Sequence, residues 1–433
     1  MTEPKRILIL TADAGFGHRS AANAVAAALE QSYGADVEVR VVNPLDDKRT
    51  PAFLRESQSD YDKIVKTMPE LYKLGYDAAD AALTSAIVES AVTIMLLEVM
   101  NEIIRTYRPN AILTTYPFYQ APLEHLFDIN KERIPLYAAV TDLATVHRMW
   151  FNDKVDGCMV PNGEVKRLAL SYGMAKAKIH VTGIPAHPNI ANEKRSKRAI
   201  RQELGWSPNL TTVLAVGSRR VDKLVETLDI VNHFGAPLQV VAVAGKDEKL
   251  YNQFIGMDWH VPAHIYDYVE NMPEFLKASD IIICKAGGLI VSESLASGLP
   301  MLLIDILPGQ EEGNAHFVVD NEAGDLVETP IETLETLAHW MADGKKVLRQ
   351  RAESAARLGR PQAAFDVADF LWRAANRPVA VRRIRHSRIR GRERFLDFFK
   401  GVDFRTLPVT NEAFIDESSN DTPSRTSTHF RTS

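Results

Sequence analysis

Cys284-Lys-Ala-Gly-Gly-Leu-Ile-Val-Ser-Glu-Ser-Leu-Ala-Ser-Gly-Leu-Pro300 is the stretch on which the reading of the fold turns. Before it stands the apolar run Ile281–Ile283, bounded by Asp280, which predicts a short buried strand. Gly287 and Gly288 then open a helical pattern that offers Ile290, Val291, Leu295 and Leu299 to a buried side. A strand, a glycine turn and a helix start leave free backbone N–H groups and a partial positive charge at one spot, which suits a phosphate. The glycines let that phosphate approach the backbone without a Cβ in the way. Glu293 falls about one turn into the helix, where its carboxylate can accept from a hydroxyl pair such as that of a ribose. Leu302–Ile304 predicts the next strand, and Pro308-Gly-Gln-Glu-Glu-Gly-Asn314 brings polar side chains on the loop after it.

Working outward, the start of the chain has the same logic. Arg6–Leu10 reads as a buried strand, Thr11–His18 as a glycine-bearing loop, and the alanine-rich Ala21–Leu29 as a helix. With Val37–Val42 as the next strand, this is the β-α-β opening of a doubly wound parallel sheet. Gly15-Phe-Gly17 is half a dinucleotide fingerprint: Ser20 stands at the third glycine, and Asn43 rather than an acid closes the second strand. On these residues alone a tight strand-to-helix turn is as good a reading. Ala111–Leu113 and Leu136–Val140 give two more strands. The second of them runs into Thr141-Asp-Leu-Ala-Thr-Val-His147, so Asp142 and His147 follow a strand's carboxyl end, where open α/β sheets bind ligands. Val181–Pro185 ends the first half, and the basic stretch Pro188–Arg201 reads as a linker with a solvated helix. Thr211–Val216 with Gly217-Ser-Arg-Arg220, and Leu238–Val243 with Gly245-Lys246, repeat the strand-and-turn theme, and Pro361–Trp372 reads as a closing amphipathic helix.

Composition narrows the classes. A chain of 433 residues, 45% apolar, has room for two domains with cores of their own. A net charge of −5 makes no whole-chain case for nucleic acid. Cys158 and Cys284 form neither a disulfide framework nor a metal-ligand spacing, which fits a reducing cytosol. Met1–Lys5 leads straight into a strand without the pattern of a signal peptide. The apolar stretch Ala86–Ile104 carries Glu89, Glu98 and Glu102 and reads as a core helix, not a membrane span. Asp60-Tyr-Asp62 lacks the buried strand that would precede a metal-binding acidic triplet and reads as a solvated helix face. Between Val381 and Phe395, seven arginines stand against Glu393 alone, with Ile384, Ile389, Phe395, Phe398 and Phe399 interleaved. Such a segment attracts anionic lipid at about 1 kcal/mol per near-surface cation; a disordered basic tail is the equal alternative. From Thr410 onward the composition reads as disorder.

Lys285-Ala-Gly-Gly288, Ser292-Glu293, Gly298-Leu-Pro300, Gly309-Gln-Glu311 and Asn314-Ala315 together resemble the donor site of GT-B glycosyltransferases. The nearest group is the diacylglycerol glycosyltransferases, including the monogalactosyldiacylglycerol synthases; the family also holds the peptidoglycan transferase that makes lipid II. Gly15-Phe-Gly-His18 with Arg19–Ala21, and the segment Thr141–Val165, are similar to the galactolipid synthases, with Arg148 where the plant pattern has proline.

The resemblance implies an α/β fold of two Rossmann-like, doubly wound domains facing across a cleft. Residues 1–190 would form the acceptor and membrane side, 191–362 the UDP-sugar domain and 363–380 a helix closing back on the first domain. Residues 381–409 would be a basic amphipathic tail and 410–433 a disordered one. His18 is the implied base, since a histidine near its ordinary pKa takes a proton at neutral pH; Asp142 orients it or contacts the acceptor. Gly15, Phe16, Gly17 and His147 fall on the acceptor side. On the donor side, Gly217, Ser218, Arg219, Gly287 and Gly288 face the diphosphate, the Val269 backbone the base and Glu293 the ribose. Gln310, Glu311 and Asn314 lie beside the sugar. The implied reaction is inverting transfer of galactose or glucose from a UDP-hexose to diacylglycerol, without metal or other cofactor. The implied place is the cytoplasmic, inner face of an anionic membrane, with no nucleic-acid partner. A polyprenyl-linked acceptor, a UDP-sugar epimerase and a UDP-sugar sensor remain as alternatives.

Overall fold

In the computed structural model, which describes residues 3–14, 16–52, 55, 82–218, 221–306 and 311–377, the first half of the chain lays down six parallel strands. They are β1 (Lys5–Leu10), β2 (Val37–Val42), β3 (Ala111–Thr114), β4 (Leu136–Ala139), β5 (Gly157–Val160) and β6 (Ile179–Val181), in the order β2-β1-β3-β4-β5-β6. The second half repeats this with β7 (Thr211–Val216), β8 (Leu238–Val243), β9 (Ala263–Tyr266), β10 (Ile281–Cys284), β11 (Met301–Leu303) and β12 (Gly324–Leu326), in the order β12-β11-β10-β7-β8-β9. Each sheet grows both ways from its first strand. The strand order therefore reverses beside β1 and beside β7, and the loops leaving β1, β3, β7 and β10 flank the two crevices where such sheets bind ligands.

Helices cover both faces, which is why the strands read as unbroken apolar runs: Ile7–Leu10 and Ile281–Ile283 are almost wholly buried. They are α1 (Phe16–Tyr33), α2 (Ala82–Tyr107), α3 (Gln120–Asn130), α4 (Gly163–Ser171), α5 (Asn189–Asn192), α6 (Lys197–Glu203) and α7 (Leu224–Asn232). There follow α8 (Glu248–Gly256), α9 (Met272–Ala278), α10 (Gly288–Ala296), α11 (Glu312–Asp320), α12 (Pro330–Leu358) and α13 (Ala363–Ala375). None of the described helices is long and apolar enough to cross a membrane.

Residues Met1–Val381 form one compact unit. Two features tie its halves. The last helix, α13, returns to the first sheet, where Ala364, Val367, Ala368 and Leu371 share a core with Ala22, Val25, Ala28 and Leu29 of α1. Small side chains on both helices let the backbones come close, and Tyr33 stacks on Trp372 at 4.2 Å between centroids. The outgoing chain crosses at Gly183, whose φ of +94° is left-handed. A Cβ there would stand 2.5 Å from Cβ of Arg360, on the returning segment.

From Ile184 onward, Ile184, Ala186 and Ile190 belong to the core of the second sheet, so the change of core precedes residue 190. In the basic linker Lys194, Arg195, Lys197 and Arg198 are exposed, as expected of a solvated helix, but Arg201 is not. Arg201 is 6% exposed; it donates to the Ala278 carbonyl and to Asp280 Oδ2 at 2.7 and 2.6 Å, and Lys197 reaches Asp280 Oδ1 at 3.2 Å. These cations fasten α6 to the start of β10. One feature was not anticipated, although Asp343-Gly344 is a turn-forming pair: α12 is broken at Asp343, Gly344 and Lys345, all left-handed. The Asp60-Tyr-Asp62 triplet and the segments 381–409 and 410–433 lie outside the described residues.

Candidate active site

The acceptor side is built at the end of β1. Asp13 and Arg19 form a two-pronged ion pair, both bonds 2.7 Å, across the turn between them. The Asn43 amide donates to Asp13 at 3.3 Å, and Tyr119 donates its hydroxyl to Asn43 Oδ1 and the Thr11 carbonyl at 3.2 and 3.1 Å. This bracing sets His18 on the first turn of α1. Gly17 has open space where a Cβ would stand, so packing does not account for it. Gly15 and the Phe16 side chain lie outside the described residues.

The His18 ring is held by Thr141, whose Oγ1 lies 2.7 Å from Nδ1. Tyr116 meets the ring edge-on at 5.1 Å between centroids, and Trp150 leans over it at 6.1 Å. Burial pushes the imidazole down to about 4, opposed by a hydrogen bond to the Thr115 backbone. This departs from the ordinary histidine expected: burial favours the neutral ring. Asp142 does not orient this ring. Its Oδ2 accepts from Trp150 Nε1 at 2.7 Å; burial pushes its carboxyl up to about 6, against that hydrogen bond. His147 caps the short turn Arg148–Trp150, its Nδ1 accepting from the Met149 N–H at 3.2 Å, and so sets the loop that carries Trp150. Arg148, in place of the expected proline, lies over the Tyr172 ring at 5.3 Å.

The donor side is built at the end of β10. Gly287 is extended, no side chain caps the start of α10, and the first amides of that helix have no intrahelical partner. Glu293 is half-buried, and burial pushes its carboxyl up to about 7. The turns after β7 and β8 come together on glycine: a Cβ on Gly217 would stand 2.3 Å from Leu250, and one on Gly245 would stand 2.4 Å from the Gly217 carbonyl. Gly217 is thus required by packing as well as being open to a ligand, and Ser218 follows it at the strand's end. Val269 is buried in the core beside Tyr266 and Phe275. Arg219 and Gln310 lie outside the described residues.

Glu311 and Asn314, expected beside the sugar together with Gln310, make contacts within the protein. Glu311 is buried and pairs with Lys285 at 3.1 Å, beside the glycine turn. Asn314 spends its amide on backbone, Oδ1 accepting from the Ala144 N–H at 3.2 Å and Nδ2 donating to the Ala286 carbonyl at 2.9 Å. Oδ1 keeps a second lone pair and Nδ2 a second N–H, so these backbone bonds leave the amide able to meet the donor sugar as expected. Sequence reasoning had quoted Thr141, Trp150 and Lys285 without giving them a part; what they touch lies far along the chain. Among the described residues, no three His, Cys, Asp or Glu side chains gather as metal ligands.

The acceptor and donor sides meet in space. A Cβ on Gly288 would lie 3.0 Å from the Thr141 carbonyl, so the first residue of α10 touches the residue that holds His18. An uncapped helix start and the residue that holds the His18 ring therefore lie side by side.

Comparison with known proteins gives the family and the fold. Residues 18–186 match the family model for monogalactosyldiacylglycerol (MGDG) synthase, and residues 211–366 match that for the glycosyltransferase family 28 C-terminal domain. The chloroplastic monogalactosyldiacylglycerol synthase of Spinacia oleracea is 30% identical over 389 residues, covering 88% of this chain and 74% of that protein. Among solved structures, Acinetobacter baumannii MurG superposes with a TM-score of 0.56 at 16% identity, covering 86% of this chain and 100% of that one. The S. aureus MnaA–UDP co-structure superposes at 0.54 and 17%, covering 84% and 94%. At these identities the structural likeness is one of fold, the GT-B arrangement of two Rossmann-like domains.

Proposed function

The chain belongs to the monogalactosyldiacylglycerol synthase family of glycosyltransferases, and from that premise we propose that it transfers a hexose, galactose first, from a UDP-sugar to the free hydroxyl of diacylglycerol. The product is a β-monoglycosyldiacylglycerol, formed with inversion. The observation that carries this reading is the contact of Gly288 with Thr141, which brings the proposed base and the proposed diphosphate site together. The spinach relative is named for this product, and the MnaA structure for its bound UDP.

In this reading the acceptor hydroxyl approaches the anomeric carbon opposite UDP. The hydroxyl oxygen forms the new bond, the bond to the diphosphate breaks, and the hydroxyl proton passes to His18. A ring that donates from Nδ1 to Thr141 leaves Nε2 as the accepting atom. The departing diphosphate collects the uncapped amides of α10 and the positive end of that helix, preorganised charge that needs no metal. Glu293 accepts from the ribose hydroxyls. Diacylglycerol resides in a bilayer, so the protein works at a membrane surface, which we place on the cytoplasmic side; the arginines between 382 and 394 suit anionic lipid.

The test incubates purified protein with diacylglycerol vesicles and labelled UDP-galactose or UDP-glucose, alongside His18→Ala. Label entering a monoglycosyl lipid from one donor, and lost in the variant, supports reaction, donor and base together. UDP binding without lipid product overturns the diacylglycerol assignment and points to a polyprenyl-linked acceptor or an epimerase.

A further inference from the structure

The loop that leaves β4 is gripped by both domains. From its own side, Asn162 Nδ2 donates to the Leu143 carbonyl at 2.7 Å. From the other side, Asn314 Oδ1 accepts the neighbouring N–H, that of Ala144. The Leu143 side chain, 4% exposed, packs within the second domain's core with Ile184 and Val291, not with the first sheet that bears it. Close approach is secured by glycines on the facing helix starts. Gly288 makes room for the Thr141 carbonyl, and a Cβ on Gly313 would stand 2.2 Å from Thr145 Oγ1 and 3.2 Å from the Thr145 amide.

We propose that Asn314 is a positioning residue that sets the spacing between the donor turn and the acceptor base. This rests on the transferase reading above. The side chain is 5% exposed and both ends of its amide are bonded. One end holds the Ala286 carbonyl, immediately before Gly287 and Gly288. The other holds Ala144, in the loop whose Thr141 carries the His18 ring. The route from diphosphate site to imidazole thus consists of short covalent links joined by the Asn314 amide and the Thr141–His18 bond. Removing the amide frees the loop to drift relative to the donor turn, and a displacement of about 1 Å at a reacting pair can cost on the order of 100-fold in rate.

The experiment compares wild type with Asn314→Ala, Gly313→Ala and the double variant Gly313→Ala with Thr145→Ala, all in the full chain. Exchange of the Ala144 amide, UDP affinity, and kcat with KM for diacylglycerol are read on each, with thermal unfolding to exclude misfolding. Asn314→Ala is expected to expose the Ala144 amide to exchange and lower kcat about ten-fold or more, leaving UDP affinity unchanged. Gly313→Ala wedges the same contact and lowers kcat alike; Thr145→Ala removes the atom it strikes and restores most of the rate. Unaltered Ala144 exchange in Asn314→Ala, or unaltered kcat, overturns the proposal. So does a loss confined to the extra affinity of UDP-galactose over UDP, which makes Asn314 a sugar contact. If wild type forms no glycolipid, the proposed reaction fails while the exchange arm still decides: Ala144 protection lost in Asn314→Ala supports the bridge, and protection retained overturns it.

Discussion

Glu293→Gln isolates the charge on the residue assigned to the ribose, with little change of shape. Burial raises this carboxyl from 4.5 to about 7, and a displacement of that size costs the folded state about 3 kcal/mol once the group is ionised. The sign follows from linkage. Below the unfolded value both states are protonated and nothing is lost; the cost grows as pH rises from 4.5 and is complete above about 7. At pH 5.5 the folded protein still keeps its proton, and the cost is only about 1 kcal/mol. Glu293→Gln is therefore expected to be more stable than wild type in urea titrations at pH 8, the advantage shrinking by about 2 kcal/mol at pH 5.5. Nucleotide binding should run the other way. Ribose hydroxyls donate to the carboxylate, so UDP binding expels a proton, and wild-type affinity falls about ten-fold between pH 8 and pH 6. Calorimetry in buffers of different ionisation enthalpy reads the proton directly. In the Gln variant, affinity is lower and flat with pH. A variant no more stable at pH 8 than wild type, or a stability difference independent of pH, would refute the burial argument. A pH-independent UDP affinity in wild type would refute the ribose assignment.

Other consequences are open to the same kind of check. In the protein without ligand the His18 ring should titrate well below an ordinary histidine, at about 4, because burial disfavours its cation; a ring titrating near 6.5 by NMR would contradict this. By NMR the His18 ring should titrate higher with UDP bound, since a diphosphate favours the imidazolium. Gly245→Ala should destabilise more than Gly217→Ala in urea, because the first drives a Cβ into the Gly217 carbonyl at a left-handed φ of +67° while the second meets the mobile end of Leu250. Trp150→Phe removes the indole donor to Asp142, so the Asp142 carboxyl should titrate above its present value of about 6, read from its carboxyl carbon.

What the sequence disclosed and what it withheld divide along a physical line. Ile281–Ile283 and Ile7–Leu10 were legible as strands because a parallel sheet buried on both faces demands continuous apolar runs. The turn at Gly287–Gly288 was legible because a missing Cβ is written in the sequence itself. Which atom touches His18 was not. Thr141 and Asp142 are adjacent in the loop after β4, yet one meets the imidazole and the other accepts from Trp150. The displacement of His18 depends on Tyr116 and Trp150 closing over it, partners far along the chain. Asn314 posed the same problem: its amide acceptor is fixed by the Ala144 N–H, 170 positions away, and backbone partners leave no residue type to recognise. The place of the break in α12 is marked by Asp343-Gly344, a turn-forming pair, but its reach is not, since Asp343 and Lys345 are left-handed without being glycine.

Three titratable groups of this site move the same way, and that bears on how catalysis is arranged. Burial drives His18 down and Asp142 and Glu293 up, each toward its neutral form. Around these three side chains charge is disfavoured, and in such a medium fixed dipoles act over short distances with little screening. The uncapped amides of α10 gain most from this, because their partial charge costs nothing to keep and nothing to reorganise. Bringing in a diphosphate then satisfies those amides and, by its negative charge, makes His18 a stronger base at the moment a proton must be taken. The two effects share one cause, the exclusion of water by Tyr116, Trp150 and the loop around Leu143, and they depend on that loop staying where Asn314 holds it. Spacing and electrostatics are thus not separable contributions here: loosening the bridge admits water, and water both swells the gap and restores His18 toward an ordinary histidine.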